Sequence, residues 1–187
     1  PRQHGTPGPC RTADHLGGRS LEDCPAVLDP AASLLGHAQE AWLAEGLTGD
    51  RAPWTLLAQQ TLFSRLVLPA GPNVRYSDIW DGYPASRARV LTALKTVANP
   101  VVLGGDVHSF WINDVAEGAQ GDGPPVATEI VTSCLASRNG PEALFGPARR
   151  LNPHVRHLDN SRSGYVLLDL DHDRLIAELR AVDDLTD

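Results

Sequence analysis

Between Trp54 and Gly105 the apolar pattern changes its period twice, and no single regular element accommodates both periods. WTLLAQQ, residues 54–60, reads as a short buried strand. Val90, Leu91, Leu94 and Val97 then recur at intervals of three or four, with Pro84 suited to a first helical turn. Asn99 and Pro100 end that helix, and VVLGG follows as a second apolar strand. An earlier amphipathic helix is expected from Ser33, a plausible N-cap, through Leu34, Leu35, Ala38, Ala41, Trp42 and Glu45, stopping near Gly46 or Gly49. TLFSRLVLPAGPN between strand and helix reads as a loop of mixed character.

Further strands are expected at 126–132, 164–170 and 175–182. The last two flank the turn-forming DHDR and predict an antiparallel hairpin. Helices and strands alternate early and strands dominate late, which predicts an α/β layered fold whose final strands complete a sheet. Residues 1–32 show no hydrophobic period and read as a long loop that must pack on something else, while 33–187 carry the helices and strands. The opening PRQHGTPGPC has nothing to nucleate a core, so a fragment or processed chain is expected.

Lys and Arg total 16 against 23 Asp and Glu, a net charge of −7, and no stretch gathers cations into a face that could track phosphates. Nucleic acid is therefore not an expected partner. Apolar runs stop well short of the ~18 residues needed to span a bilayer, so no membrane span is expected. Cys10 and Cys24 bracket a short loop whose closure by a disulfide would constrain the unfolded chain by about 3 kcal/mol. Such a bond favours an exported protein; two free thiols in a cytosolic chain is the other reading.

The second strand runs into Gly104, Gly105, Asp106, Val107 and His108. In an extended strand, residues two apart point to one side, so Asp106 and His108 can converge on one atom as half of a metal cup. Open α/β sheets bind ligands where strands leave the sheet at their carboxyl ends, and the glycines permit close backbone approach. Asp with His suits a borderline or hard transition metal that polarises a phosphoryl oxygen or activates water. The alternative is a polar turn in which Asp caps and His packs. WDGYP places Trp80 and Tyr83 beside an acid, a candidate pocket wall, although both residue types are as readily core. TSC at 132–134 follows a strand and raises a serine or cysteine hydrolase, but no G-x-S-x-G surrounds it.

RQHGTPGPC, LLGHAQEAWL, APWTLLAQQ, DIWDGYPASRARVL, NPVVLGGDVHSFW, VATEIVTS and NPHVRHLDNSRSGYVLLDL, in that order, resemble successive blocks of the PhoD-type alkaline phosphatases of the metallophosphatase superfamily. The resemblance implies a sandwich of two mixed sheets flanked by helices, with residues 1–187 forming the C-terminal part of a single domain. It implies hydrolysis of phosphate mono- or diesters by a metal-activated water, with Fe3+ and Ca2+ in the site and Asp106 and His108 among the metal ligands. The family's remaining ligands lie in earlier motifs that this sequence does not contain, and Cys10 is not the family's metal-binding Cys. Two ligands hold such a metal too weakly, so the chain alone is expected to be inactive and to need the N-terminal half of the same protein as partner. An isolated half would expose the sheet face meant for that partner. Asn152, His154 and Arg162 of the last loop, with Trp80 and Tyr83, are candidates to touch a phosphate-ester substrate. By resemblance the protein is secreted, or sits in the periplasm or cell envelope of a bacterium. A non-catalytic remnant of the same fold is the remaining alternative.

Overall fold

A computed structural model describes residues 8–10, 20–22, 24–49, 52–118 and 120–182. Two short strands, β1 (Ser20–Leu21) and β3 (Arg75–Tyr76), pair antiparallel apart from the main sheet. The main sheet has five strands: β2 (Thr55–Ala58), β4 (Pro100–Gly104), β5 (Phe110–Ala116), β6 (Pro125–Val131) and β7 (Val155–Asp159), in the order β2-β4-β6-β5-β7. β4 runs parallel to both β2 and β6, whereas β5 runs antiparallel to β6 and β7. Hence β2, β4, β6 and β7 all point the same way, and their carboxyl ends share one edge.

The pairing register fixes which side chains share a face, because residues directly opposite in a ladder point to the same side. One row reads Leu57, Val102, Glu129, Asn113 and Val155. This face is covered by α1 (His37–Leu47), α2 (Pro84–Leu94), the irregular segment 61–80, and the short helices α3 (Glu142–Phe145) and α4 (Ala148–Leu151), in two adjoining clusters of buried apolar residues. The opposite row, Leu56, Val101, Thr128 and Asp114, is more open: Leu56 and Thr128 are exposed.

α2 forms as the sequence predicts. Pro84 sits in its first turn, where a missing N–H costs nothing, and Val90, Leu91 and Leu94 face the core. α1 departs from expectation by starting at His37, with Gly36 at φ 86° as its N-cap. Ser33 lies a turn earlier, where its hydroxyl accepts the Gly36 N–H at 2.7 Å and donates to Glu40 at 2.6 Å. Glu40 is the knot between the two helices, also taking a hydrogen bond from Ser86 and one from Arg89 Nε at 2.6 Å. Burial pushes the Glu40 carboxyl up, but the hydrogen bonds from Arg89, Ser33 and Ser86 together with the Arg89 charge hold it below its ordinary value.

Three further expectations are corrected. β2 is an edge strand with Leu56 exposed, not a buried one, because it has a neighbour on one side only. The segment from Thr61 through Leu66 is irregular yet wholly buried. Its backbone is satisfied by a side chain: the fully buried Glu129 carboxylate accepts the N–H of Phe63 at 2.6 Å and of Ser64 at 3.0 Å, and Asn113 Nδ2 at 2.9 Å. Burial drives the Glu129 pKa upward against those donors. The last strands, β8 (Ser163–Leu170) and β9 (Leu175–Val182), form the expected antiparallel hairpin but pair only with each other, so they do not complete the main sheet. Asp171 closes their turn by accepting the N–H groups of Asp173 and Arg174. The Cys10–Cys24 disulfide is formed.

Candidate functional site

The carboxyl edge of the main sheet collects the loops after β4, β6 and β7. β4 ends at Gly104, a position that only glycine fits, since a Cβ there would lie 2.5 Å from the Thr61 carbonyl oxygen. The chain then departs from extended geometry. Asp106 has φ 67° and His108 has φ 56°, both in the left-handed region that non-glycine residues rarely adopt. The Val107 N–H donates to the Gly105 carbonyl at 2.8 Å, which makes Asp106 the centre of a γ-turn. The expectation that Asp106 and His108 share one side of an extended strand is therefore wrong. They flank Val107 on a tight bend beyond the sheet, held in conformations that cost of order 1–3 kcal/mol each.

The His108 ring is anchored. Its Nδ1 lies 2.8 Å from the carbonyl oxygen of Arg138. A carbonyl can only accept, so Nδ1 carries a proton, and in the neutral ring this leaves the lone pair on Nε2. The His108 carbonyl in turn accepts the Gly140 N–H at 3.2 Å. Asp106 is exposed, and among the described residues no hydrogen bond or ion pair engages its carboxylate. Gly140 is required at its position, because a Cβ would collide with the Phe145 ring and lie 2.9 Å from the Val107 carbonyl oxygen.

The neighbouring loops are tied to one another by side-chain amides and hydroxyls. Asn160 Nδ2 donates to the Gly140 carbonyl at 2.8 Å, and Asn139 Nδ2 to the Arg162 carbonyl at 3.0 Å. Ser133 donates to that same carbonyl at 2.9 Å. Arg162 itself is exposed, its Nε 2.8 Å from Asp159, and it borders a cleft of 240 Å3 with Phe110, Ile112 and Leu179. Burial raises the Asp159 carboxyl, but the Ser161 hydrogen bonds and Arg162 outweigh it and hold the group below its ordinary value.

Of the residues singled out in the sequence, Asp106, His108 and Arg162 lie on loops of this edge and the others do not. Trp80 and Tyr83 are core: Trp80 packs edge-on against Phe63 with centroids 4.8 Å apart and donates Nε1 to Gln59. Asn152 is fully buried and clamps Val67, accepting its N–H at 2.7 Å and donating to its carbonyl at 3.0 Å. His154 is buried with Nε2 2.7 Å from the Arg65 carbonyl, and burial lowers its pKa. Both were expected on a surface loop; the short α4 just before them folds that segment under residues 65–67 instead. The Cys134 thiol donates to the Ser137 carbonyl and the Ser133 hydroxyl to Arg162, so neither is paired with a base as a nucleophile would be. Sequence reasoning missed Arg138, Asn139 and Asn160. A carbonyl contact leaves no trace in residue type, although "SRNG" and "LDNSRSG" carried the turn chemistry that marks such loops.

An anchored imidazole with a free Nε2 and an unengaged carboxylate fit a borderline or hard cation. Among the described residues no three His, Cys, Asp or Glu side chains gather into a group that could hold a metal ion.

Comparison with known proteins bears on the fold and the family. A solved structure described as "Structure of PhoD" superposes with a TM-score of 0.79 at 27% identity, covering 96% of this chain and 35% of that one. Alkaline phosphatase D of Bacillus subtilis (strain 168) is 35% identical over 145 residues, which are 74% of this chain and 25% of that protein. The chain thus spans about a quarter of the curated relative it matches. The family model for PhoD-like phosphatases matches residues 2–179, nearly the whole sequence, and the chain belongs to the PhoD-like phosphatase family.

Proposed function

We propose that this chain is the C-terminal part of a metal-dependent phosphate-ester hydrolase, in which Asp106 and His108 contribute to the metal site. The observation that carries the reading is the bend after β4. Two non-glycine residues are held at positive φ there, and one of them has its ring locked so that Nε2 is available. Strain of this kind persists when the surrounding structure over-determines it, and here the Arg138 and Gly140 backbone does so.

His108 offers a neutral nitrogen and Asp106 a carboxylate, a donor pair suited to Fe3+, with Ca2+ held by oxygen ligands from elsewhere in the protein. Bound there, such ions neutralise phosphate charge and provide a nucleophilic water at moderate pH. The exposed Arg162 guanidinium orients a phosphate group of a mono- or diester arriving at the same edge. Trp80, Tyr83, Asn152 and His154 hold the scaffold. The N-terminal part of the same protein supplies the missing ligands and covers the more open sheet face around Leu56 and Thr128, so the chain alone is inactive. The Cys10–Cys24 disulfide supports a secreted or cell-envelope location, and among the described residues no helix is long and apolar enough to cross a membrane.

The test is hydrolysis of chromogenic phosphate mono- and diesters by the complete protein. Asp106→Ala and His108→Ala each reduce turnover by at least 100-fold, and chelation abolishes it until iron and calcium are returned. Undiminished hydrolysis by Asp106→Ala removes the reading and leaves a non-catalytic role for this edge.

A further inference from the structure

The hydrogen bond that fixes the His108 ring comes from a segment with little packing of its own. Residues 135–138 are exposed, and Leu135 is among the most exposed apolar side chains of the chain. A carbonyl on such a loop holds an imidazole in place only if something else holds the loop. Two asparagines do so. Asn160, just after β7, donates Nδ2 to the Gly140 carbonyl at 2.8 Å and to Glu142 Oε2 at 3.1 Å. Asn139 lies within the loop, donates Nδ2 to the Arg162 carbonyl at 3.0 Å, and accepts from the Ser163 hydroxyl at 3.3 Å. Gly140 links the two, since its N–H reaches the His108 carbonyl. The loops after β6 and β7 are thereby stitched to each other and to the bend after β4.

We propose that Asn139 and Asn160 are positioning residues for His108: by fixing the Arg138 carbonyl against Nδ1 they hold the ring in the tautomer that presents Nε2 to a cation. The proposal rests on the reading of His108 as a ligand. Neither asparagine touches the cation; each acts through the backbone of residues 138–140. An imidazole released from the Arg138 carbonyl samples both tautomers and several ring orientations. Loss of such an outer partner weakens metal binding by about 10- to 100-fold in comparable sites. An amide side chain suits the task because its NH2 can donate to carbonyls without adding charge beside the site, and in Asn139 the amide oxygen also accepts from Ser163.

The complete protein, labelled with 15N-histidine and freed of metal, gives the first measurement. Long-range 1H–15N correlation at a pH where the ring is neutral, assigned through His108→Gln, is expected to show the proton on Nδ1. In Asn139→Ala and Asn160→Ala the His108 signals move toward a mixture of tautomers. Titration with Co2+, whose absorption reports nitrogen ligation, shows the dissociation constant rising about 10-fold or more. Ester hydrolysis returns toward the parent value at saturating metal, with KM unchanged. A proton found on Nε2 in the unsubstituted protein overturns the proposal whether or not the variants fold, as do variants with unaltered tautomer and affinity. Unaltered Co2+ binding by His108→Ala instead sinks the metal-site reading itself, a separate outcome.

Discussion

The main sheet uses polar side chains in two opposite ways, one in its middle and one at its carboxyl edge. In its middle, on the covered face, Glu129 is fully buried and both its oxygens are taken by Phe63, Ser64 and Asn113; nearby Arg65 and Asp81 form a fully buried ion pair at 2.5 Å. At its carboxyl end, Asp106 is exposed and unengaged, and the backbone around it is strained. Polar groups of the first kind hold an irregular segment against a sheet. Those of the second kind are kept at a cost in stability, which the function proposed for this bend would account for.

That contrast is sharpest in the response to substitution. Glu129→Ala strands the donors of Phe63, Ser64 and Asn113 inside the core, and the expected loss is about 3–5 kcal/mol, read from the denaturant midpoint. Asp106→Gly should do the reverse. Glycine relieves the positive φ, so the metal-free protein keeps or gains about 1 kcal/mol while ester hydrolysis is lost. A fall in stability comparable to that of Glu129→Ala would erase the distinction between the two regions.

Acid acts on the buried groups of the scaffold. His154 is held below its ordinary value of 6.5 by burial, so protonation favours the unfolded chain, and its contribution is lost as pH falls below about 6.5. Glu40, held below 4.5 in the folded state, adds its own loss only at more acid pH. Urea titrations across this range should therefore show stability declining first near pH 6, and His154→Gln should remove that first step. The smallest effect is expected at the surface. Arg156→Ala breaks an exposed, solvent-screened pair with Asp114 and should leave the denaturant midpoint and turnover indistinguishable from those of the parent.

Much of the scaffold was legible because local chemistry and tertiary role agree. Pro84 and the Val90, Leu91 and Leu94 spacing gave α2, and DHDR between alternating runs gave the β8–β9 hairpin. β5 and β7 leave no such signal. FWINDVA places Asn113 inward against Glu129, so its alternation is broken by a buried polar pair, and VRHLD looks like a loop until β5 lies beside it. Helix α1 was read too early because Leu34 and Leu35 continue the apolar spacing, yet they are core residues ahead of Gly36. In the candidate site, Asp106 and His108 were visible as residue types at a strand end. The Arg138 carbonyl and the asparagine ties were not, since they join loops that are distant in sequence.

By itself the sequence determined the α/β alternation, the Gly-Gly stop of β4, and the presence of an acid and an imidazole just beyond it. These depend on short-range spacing and on what glycine and proline allow. Only the tertiary structure decided that the pair sits on a left-handed bend and that a carbonyl from the next loop fixes the ring. It also decided that Trp80, Tyr83, Asn152 and His154 belong to the interior. The physical reason is that burial and hydrogen-bond partners are properties of chain segments brought together by folding, and no residue carries them alone.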